Sequence, residues 1–169
     1  MLKLFVKELE PALSEINLLR DCMGLQGEIF REVESRRTLK FYVGDRAYFL
    51  KLHLGAGWKE IIKNLLQLRF PVLGARNELL AIRKVEALGV KTLTAVGYAA
   101  EGNNPATICS CLITRSLENT RSLEELAKDG QISTLLRRRL IRQIASTSRT
   151  LHNGGVNHRD FYICHFLMD

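Results

Sequence analysis

From Gly27 to His53 apolar and polar residues alternate with a period of two, the spacing that turns every second side chain toward one face of a β-strand. Glu28-Ile29-Phe30-Arg31-Glu32-Val33 and Thr38-Leu39-Lys40-Phe41-Tyr42-Val43 read as a hairpin around polar Glu34-Ser35-Arg36-Arg37, and Arg46 to His53 reads as a third strand after the turn Gly44-Asp45. A short helical stretch precedes them. The period then lengthens: Trp58, Ile61, Ile62, Leu65 and Leu66 recur at helical spacing before Pro71, and Leu79, Ile82 and Val85 mark a second helix from about Arg76 to Leu88, with Gly89 as its C-terminal cap. Val90 to Ala100 and Ala106 to Leu117 return to strand character on either side of the turn Glu101-Gly102-Asn103-Asn104-Pro105.

Farther on, Ser122 to Ala127 predicts a short helix, capped by Ser122 and carrying Glu124 and Glu125 where the helix dipole favours acids. Ser133 to His152 predicts a long one, with Leu136, Leu140, Ile144 and Leu151 along one stripe and Asn153-Gly154-Gly155 as its stop. The fold class this order implies is α+β: about five antiparallel strands with helices inserted after the third, then a helical part.

Composition narrows the class further. The chain has 169 residues, 46% of them apolar, and only 3 prolines and 12 glycines, which excludes a disordered or collagen-like polypeptide. Lys and Arg number 25 against 18 Asp and Glu, a net charge of +7 that points to an anionic partner: nucleotide, phosphosugar, nucleic acid or membrane headgroups. The four cysteines form no CxxC pair, and Lys3, Lys7 and Glu8 stand where a signal peptide would be apolar. No apolar run approaches the roughly 18 residues of a membrane span. A cytoplasmic chain with no transmembrane segment is expected, its membrane contact limited to the periphery.

Candidate chemistry is concentrated in a few places. His158-Arg159-Asp160 follows the long helix and its glycine stop, the setting in which protein-kinase-like enzymes place the aspartate that accepts the attacking hydroxyl's proton. By itself Asp160 could equally pair with Arg159 or cap a turn. Lys51 ends the third strand, where a kinase places the lysine that contacts phosphates, although a single strand lysine is more often simply solvated. Glu78 opens the second helix as its candidate partner, with Glu86 two turns later as the rival; a glutamate there also serves the helix dipole. Between the first two strands a kinase has a glycine-rich loop. This chain has none, and either Arg36 or Arg37 stands in for it by charge-assisted bonds, or both are ordinary hairpin residues.

His165, five positions beyond Asp160, falls where the kinase pattern has a metal-binding Asn, so its imidazole is the candidate for a metal or phosphate contact, with a backbone-bonded loop histidine as the plain alternative. His152, His158, Cys164 and His165 lack the spacing of a structural zinc site. Cys109 and Cys111, two apart on a strand, point to the same side and are expected to be buried there. Arg137, Arg138, Arg139 and Arg142 would suit nucleic acid, but no recognised motif or interleaved aromatic accompanies them, and no nucleic-acid partner is expected.

Taken together, Leu25 to Glu32, Arg36-Arg37-Thr38-Leu39, Tyr48-Phe49-Leu50-Lys51, Lys59 to Leu65, Pro71 to Ala75, and above all Asn157-His158-Arg159-Asp160 with Tyr162-Ile163-Cys164-His165-Phe166 resemble the lipopolysaccharide core heptose (I) kinase family of Gram-negative bacteria. The resemblance implies a protein-kinase-like fold, with an N-terminal lobe over 1–117 and the beginning of a helical C-terminal lobe with the catalytic loop over 118–169. It implies ATP and Mg2+ as cofactors, and phosphorylation of a heptose of the lipopolysaccharide inner core at the cytoplasmic face of the inner membrane. Asp160 would then be the catalytic aspartate, Lys51 the phosphate-contacting lysine and Glu78 its partner, with adenine held by backbone around Thr114-Arg115-Ser116-Leu117. Arg115 departs from that pattern, which has an acidic residue there. The chain also ends nine positions after Asp160, before the family's magnesium-binding aspartate, so a truncated, weakly active or inactive form is expected, with a non-catalytic, pseudokinase-like nucleotide- or phosphate-binding remnant as the alternative.

Overall fold

The computed structural model describes residues 2–33, 35–157 and 161–168. Two compact units divide the chain, Met1–Ile82 with Leu93–Ser116 and Arg83–Thr92 with Leu117–Asp169.

The first unit begins with β1 (Leu4–Phe5), a 3-10 turn (Lys7–Leu9) and α1 (Leu18–Gly24). Three strands follow, β2 (Glu28–Val33), β3 (Arg36–Val43) and β4 (Arg46–Leu54), then α2 (Gly57–Leu66), α3 (Arg76–Ala87), β5 (Ala95–Glu101) and β6 (Cys109–Arg115). One six-stranded sheet has the order β1-β5-β6-β4-β3-β2, and all of its pairings are antiparallel. Sequence periodicity predicts five strands; the sixth is β1, whose two residues pair with Tyr98 and Gly97 and are too few to show an alternation. Residues 90–94, read as strand, lie before β5 and outside it. Between β3 and β4 the register is unbroken from Arg36 opposite His53 to Val43 opposite Arg46, and Gly44 turns the corner at φ +58°, where a side chain would be strained.

Each face of this sheet has a cover. The N-terminal segment lays Leu9, Leu13, Leu18, Leu19 and Cys22 over Leu39, Leu50, Leu52 and Ile113. Each fully buried aliphatic side chain there contributes roughly 1.5–3 kcal/mol. Cys111 is buried in the same cluster and Cys109 packs half-buried against it, as their spacing on one strand requires. Leu79 and Ile82 of α3 pack on the opposite face against Tyr98 and Leu112. Along α2 only Ile61 is buried, while Trp58, Ile62, Leu65 and Leu66 are exposed.

In the second unit β7 (Arg121–Ser122) pairs antiparallel with β8 (Leu167–Met168), and between them in sequence lie α4 (Leu123–Lys128), α5 (Thr134–Asn153) and a 3-10 turn (Ile163–His165). Ser122 and Glu125 form a capping box at the start of α4: the Glu125 amide donates to Ser122 Oγ at 3.2 Å and the Ser122 amide to Glu125 Oε2 at 2.8 Å. Ser133 caps α5 by accepting one hydrogen bond, from the Leu136 amide at 3.2 Å. Of the stripe on α5, Leu151 is buried and Leu136, Leu140 and Ile144 are half-covered. Among the described residues no helix is long and apolar enough to cross a membrane.

Candidate active site

Lys51 owes its position to alternation along β4. Tyr48, Leu50 and Leu52 point into the N-terminal cluster, so Phe49, Lys51 and His53 emerge on the face where α3 lies. Thr38 of β3 and Leu112 of β6 flank Lys51 in register. The Lys51 ammonium pairs with the carboxylate of Glu78, both side chains about two-thirds covered. Glu78 lies in the first turn of α3, and among the described residues Glu86 forms no such pair.

What aims Glu78 is the anchoring of the α3 N-terminus on β6. Ala75 precedes the helix and has no capping side chain; instead its amide donates to Ser110 Oγ at 3.0 Å, and Ser110 is 1% exposed. Gly74 makes this approach possible, because a Cβ there would lie 2.6 Å from Ser110 Oγ. Gly74→Ala is therefore expected to cost about 1–3 kcal/mol by overpacking. Ser110→Ala costs about 1 kcal/mol through the lost hydrogen bond, and in that background Gly74→Ala becomes milder. Urea unfolding of the two single variants and the double variant measures this coupling; strict additivity would rule the contact out.

The rest of the Lys51 face is aromatic and basic. A bulge between Ile29 and Arg31 inserts Phe30 as an extra residue in β2, and its ring meets Phe49 edge-on, with centroids 5.2 Å apart. Register separates the two candidate arginines: Arg36 stands opposite His53 on the Lys51 face, and Arg37 stands opposite Leu52 on the other face, where it pairs with Glu32 at 3.4 Å. Burial, reinforced by the positive charge of Arg36, pushes the His53 imidazole below its ordinary pKa.

An acidic group absent from the strand sequence itself arrives from the N-terminal 3-10 turn. Glu8 accepts from Arg115 Nε and Nη2, each at 2.8 Å, and from Arg46 Nη1 at 3.1 Å. Arg115, which breaks the expected pattern in sequence, thus has its carboxylate partner 107 residues away. The Arg115 hydrogen bonds hold the Glu8 carboxyl below its ordinary pKa, against the opposing effect of burial. A depressed folded-state pKa gives stability that is present above the ordinary carboxylate range and lost as pH falls through the depressed value. Thermal melts from about pH 6 to about pH 3 should then show a steeper loss for the wild type than for Glu8→Gln. Equal slopes would mean that the tie adds no stability.

Asp160, with His158 and Arg159, lies outside the described residues. His165 closes the 3-10 turn in the second unit, its amide donating to the Tyr162 carbonyl at 3.0 Å. Among the described residues no three His, Cys, Asp or Glu side chains gather where they could hold a metal ion. A neutral imidazole is also a poor ligand for a hard, oxygen-seeking cation. The described residues do not fit a magnesium site.

Comparison with known proteins agrees with this antiparallel sheet. Residues 20–169 match the lipopolysaccharide kinase (Kdo/WaaP) family. Lipopolysaccharide core heptose(I) kinase WaaP of Escherichia coli is 48% identical over 147 residues, covering 85% of this chain and 56% of the relative. The enzyme of the same name from Pseudomonas aeruginosa is 47% identical over 148 residues, covering 86% and 55%. The chain therefore spans about half the length of the curated relatives it matches. A solved structure described as WaaP in complex with acyl carrier protein superimposes with a TM-score of 0.81 at 35% identity, over 99% of this chain and 63% of that one, which makes the fold protein-kinase-like. The chain belongs to the lipopolysaccharide kinase (Kdo/WaaP) family.

Proposed function

We propose that the protein transfers the γ-phosphate of ATP to a hydroxyl of an inner-core heptose of lipopolysaccharide, at the cytoplasmic face of the inner membrane. The observation that carries this reading is the Lys51–Glu78 ion pair on an antiparallel sheet whose relatives are heptose kinases. Glu78 fixes the direction of the Lys51 ammonium, which supplies positive charge to the α- and β-phosphates. Asp160 orients the heptose hydroxyl and takes its proton as the oxygen attacks the γ-phosphorus. The bond from that phosphorus to the bridging oxygen breaks, and ADP leaves with the electron pair. Around Thr114 to Leu117 the adenine is left the backbone groups other than the Arg115 and Ser116 amides, which donate to the Thr94 and Ala47 carbonyls.

The test has two stages, ATP-dependent protection against thermal unfolding and transfer of labelled γ-phosphate to a deacylated, heptose-bearing core oligosaccharide. Protection with at least slow transfer is the expected result. Protection without transfer would replace the kinase by a phosphate-binding module, and absence of both would overturn the proposal.

A further inference from the structure

Resting on the kinase reading above, we propose that Arg36 binds the nucleotide's phosphate chain from the β2–β3 turn, with a guanidinium taking the part that backbone amides play in a glycine-rich turn. Three observations converge on this residue. First, the turn between Val33 and Arg36 contains no glycine, so its backbone lacks the residue type that lets amides approach a phosphate closely.

Second, the register puts Arg36 on the same face as Lys51, in the row next to it, and a diagonal neighbour across two strands is about 7–8 Å away at Cα, within reach of long side chains. Arg37 occupies the opposite face and is already neutralised by Glu32. Third, among the described residues no carboxylate pairs with Arg36, and Glu78, the acid beside Lys51, is already engaged. Burial first, and then the charge of Arg36, lowers the basicity of His53, which stands opposite Arg36 on this face. A planar, permanently charged guanidinium donates two parallel hydrogen bonds to a phosphate, which an ammonium cannot do.

The experiment measures affinity for ATP and for adenosine by competition with a fluorescent ATP analogue, on the purified protein and on Arg36→Ala, Arg36→Lys and Arg37→Ala. Arg36→Ala is expected to weaken ATP about tenfold or more, to change adenosine less than about twofold, and to flatten the salt dependence of ATP binding. Arg36→Lys should fall between, and Arg37→Ala should lower the thermal midpoint while leaving ATP affinity in place. If Arg36→Ala does not fold, as judged by circular dichroism, Arg36→Lys and Arg36→Gln carry the same comparison. ATP affinity within about twofold of wild type in a folded Arg36 variant, or equal losses for ATP and adenosine, overturns this inference and leaves the kinase reading standing. Failure of the wild type to bind ATP at all overturns the kinase reading, and this inference with it.

Discussion

Asp160→Asn is expected to lower phosphate transfer to a heptose acceptor by roughly 10²–10⁴-fold, the range that a positioned general base contributes. Asparagine keeps the size and one acceptor oxygen of aspartate but cannot take the hydroxyl proton, so the loss falls on turnover. ATP affinity should stay within about twofold, because the carboxylate acts on the acceptor and not on the nucleotide. Single-turnover conditions, with protein in excess over labelled ATP, make slow transfer readable. Comparable rates for Asp160→Asn and wild type would remove Asp160 from the mechanism.

Leu50→Ala is expected to destabilise the first unit by about 2–5 kcal/mol, the cost of removing a core leucine and leaving a cavity. Leu50 is 0% exposed at the centre of the cluster between the sheet and the N-terminal segment, so the gap has no free side chain to fill it. It also directly precedes Lys51 on β4, and the loss should appear in nucleotide protection as well as in the urea midpoint. Leu66→Ala on α2 is the contrast: Leu66 is 81% exposed, and the change should stay within about 0.5 kcal/mol. Similar losses for the two would mean that burial does not distinguish these leucines.

Local pattern was sufficient for what depends on neighbours in sequence. The period-two run from Arg46 to His53 placed Lys51 on a strand, and helical spacing after Arg76 placed Glu78 in a first turn, where the structure pairs them. Position between the strands nominated both Arg36 and Arg37, but choosing between them needed the register of β3 against β4, which is a tertiary fact. The bulge that turns Phe30 toward Phe49 is invisible to strict alternation for the same reason. Gly74 against Ser110 and Glu8 against Arg115 were beyond reach because they join residues 36 and 107 positions apart, and no periodic signal encodes such a meeting.

The tie from Glu8 to Arg115 also bears on how the chain is made. At about 5–20 residues per second, a ribosome that has added Glu8 needs roughly 5–20 s to reach Arg115, which lies 107 positions later. Throughout that interval Leu9, Leu13, Leu18 and Leu19 have no completed sheet to cover, since β6 forms its core. The segment around Glu8 is thus made well before the strand that it covers. Slowing translation between α1 and β6 should therefore lower the soluble yield more than slowing it after β6.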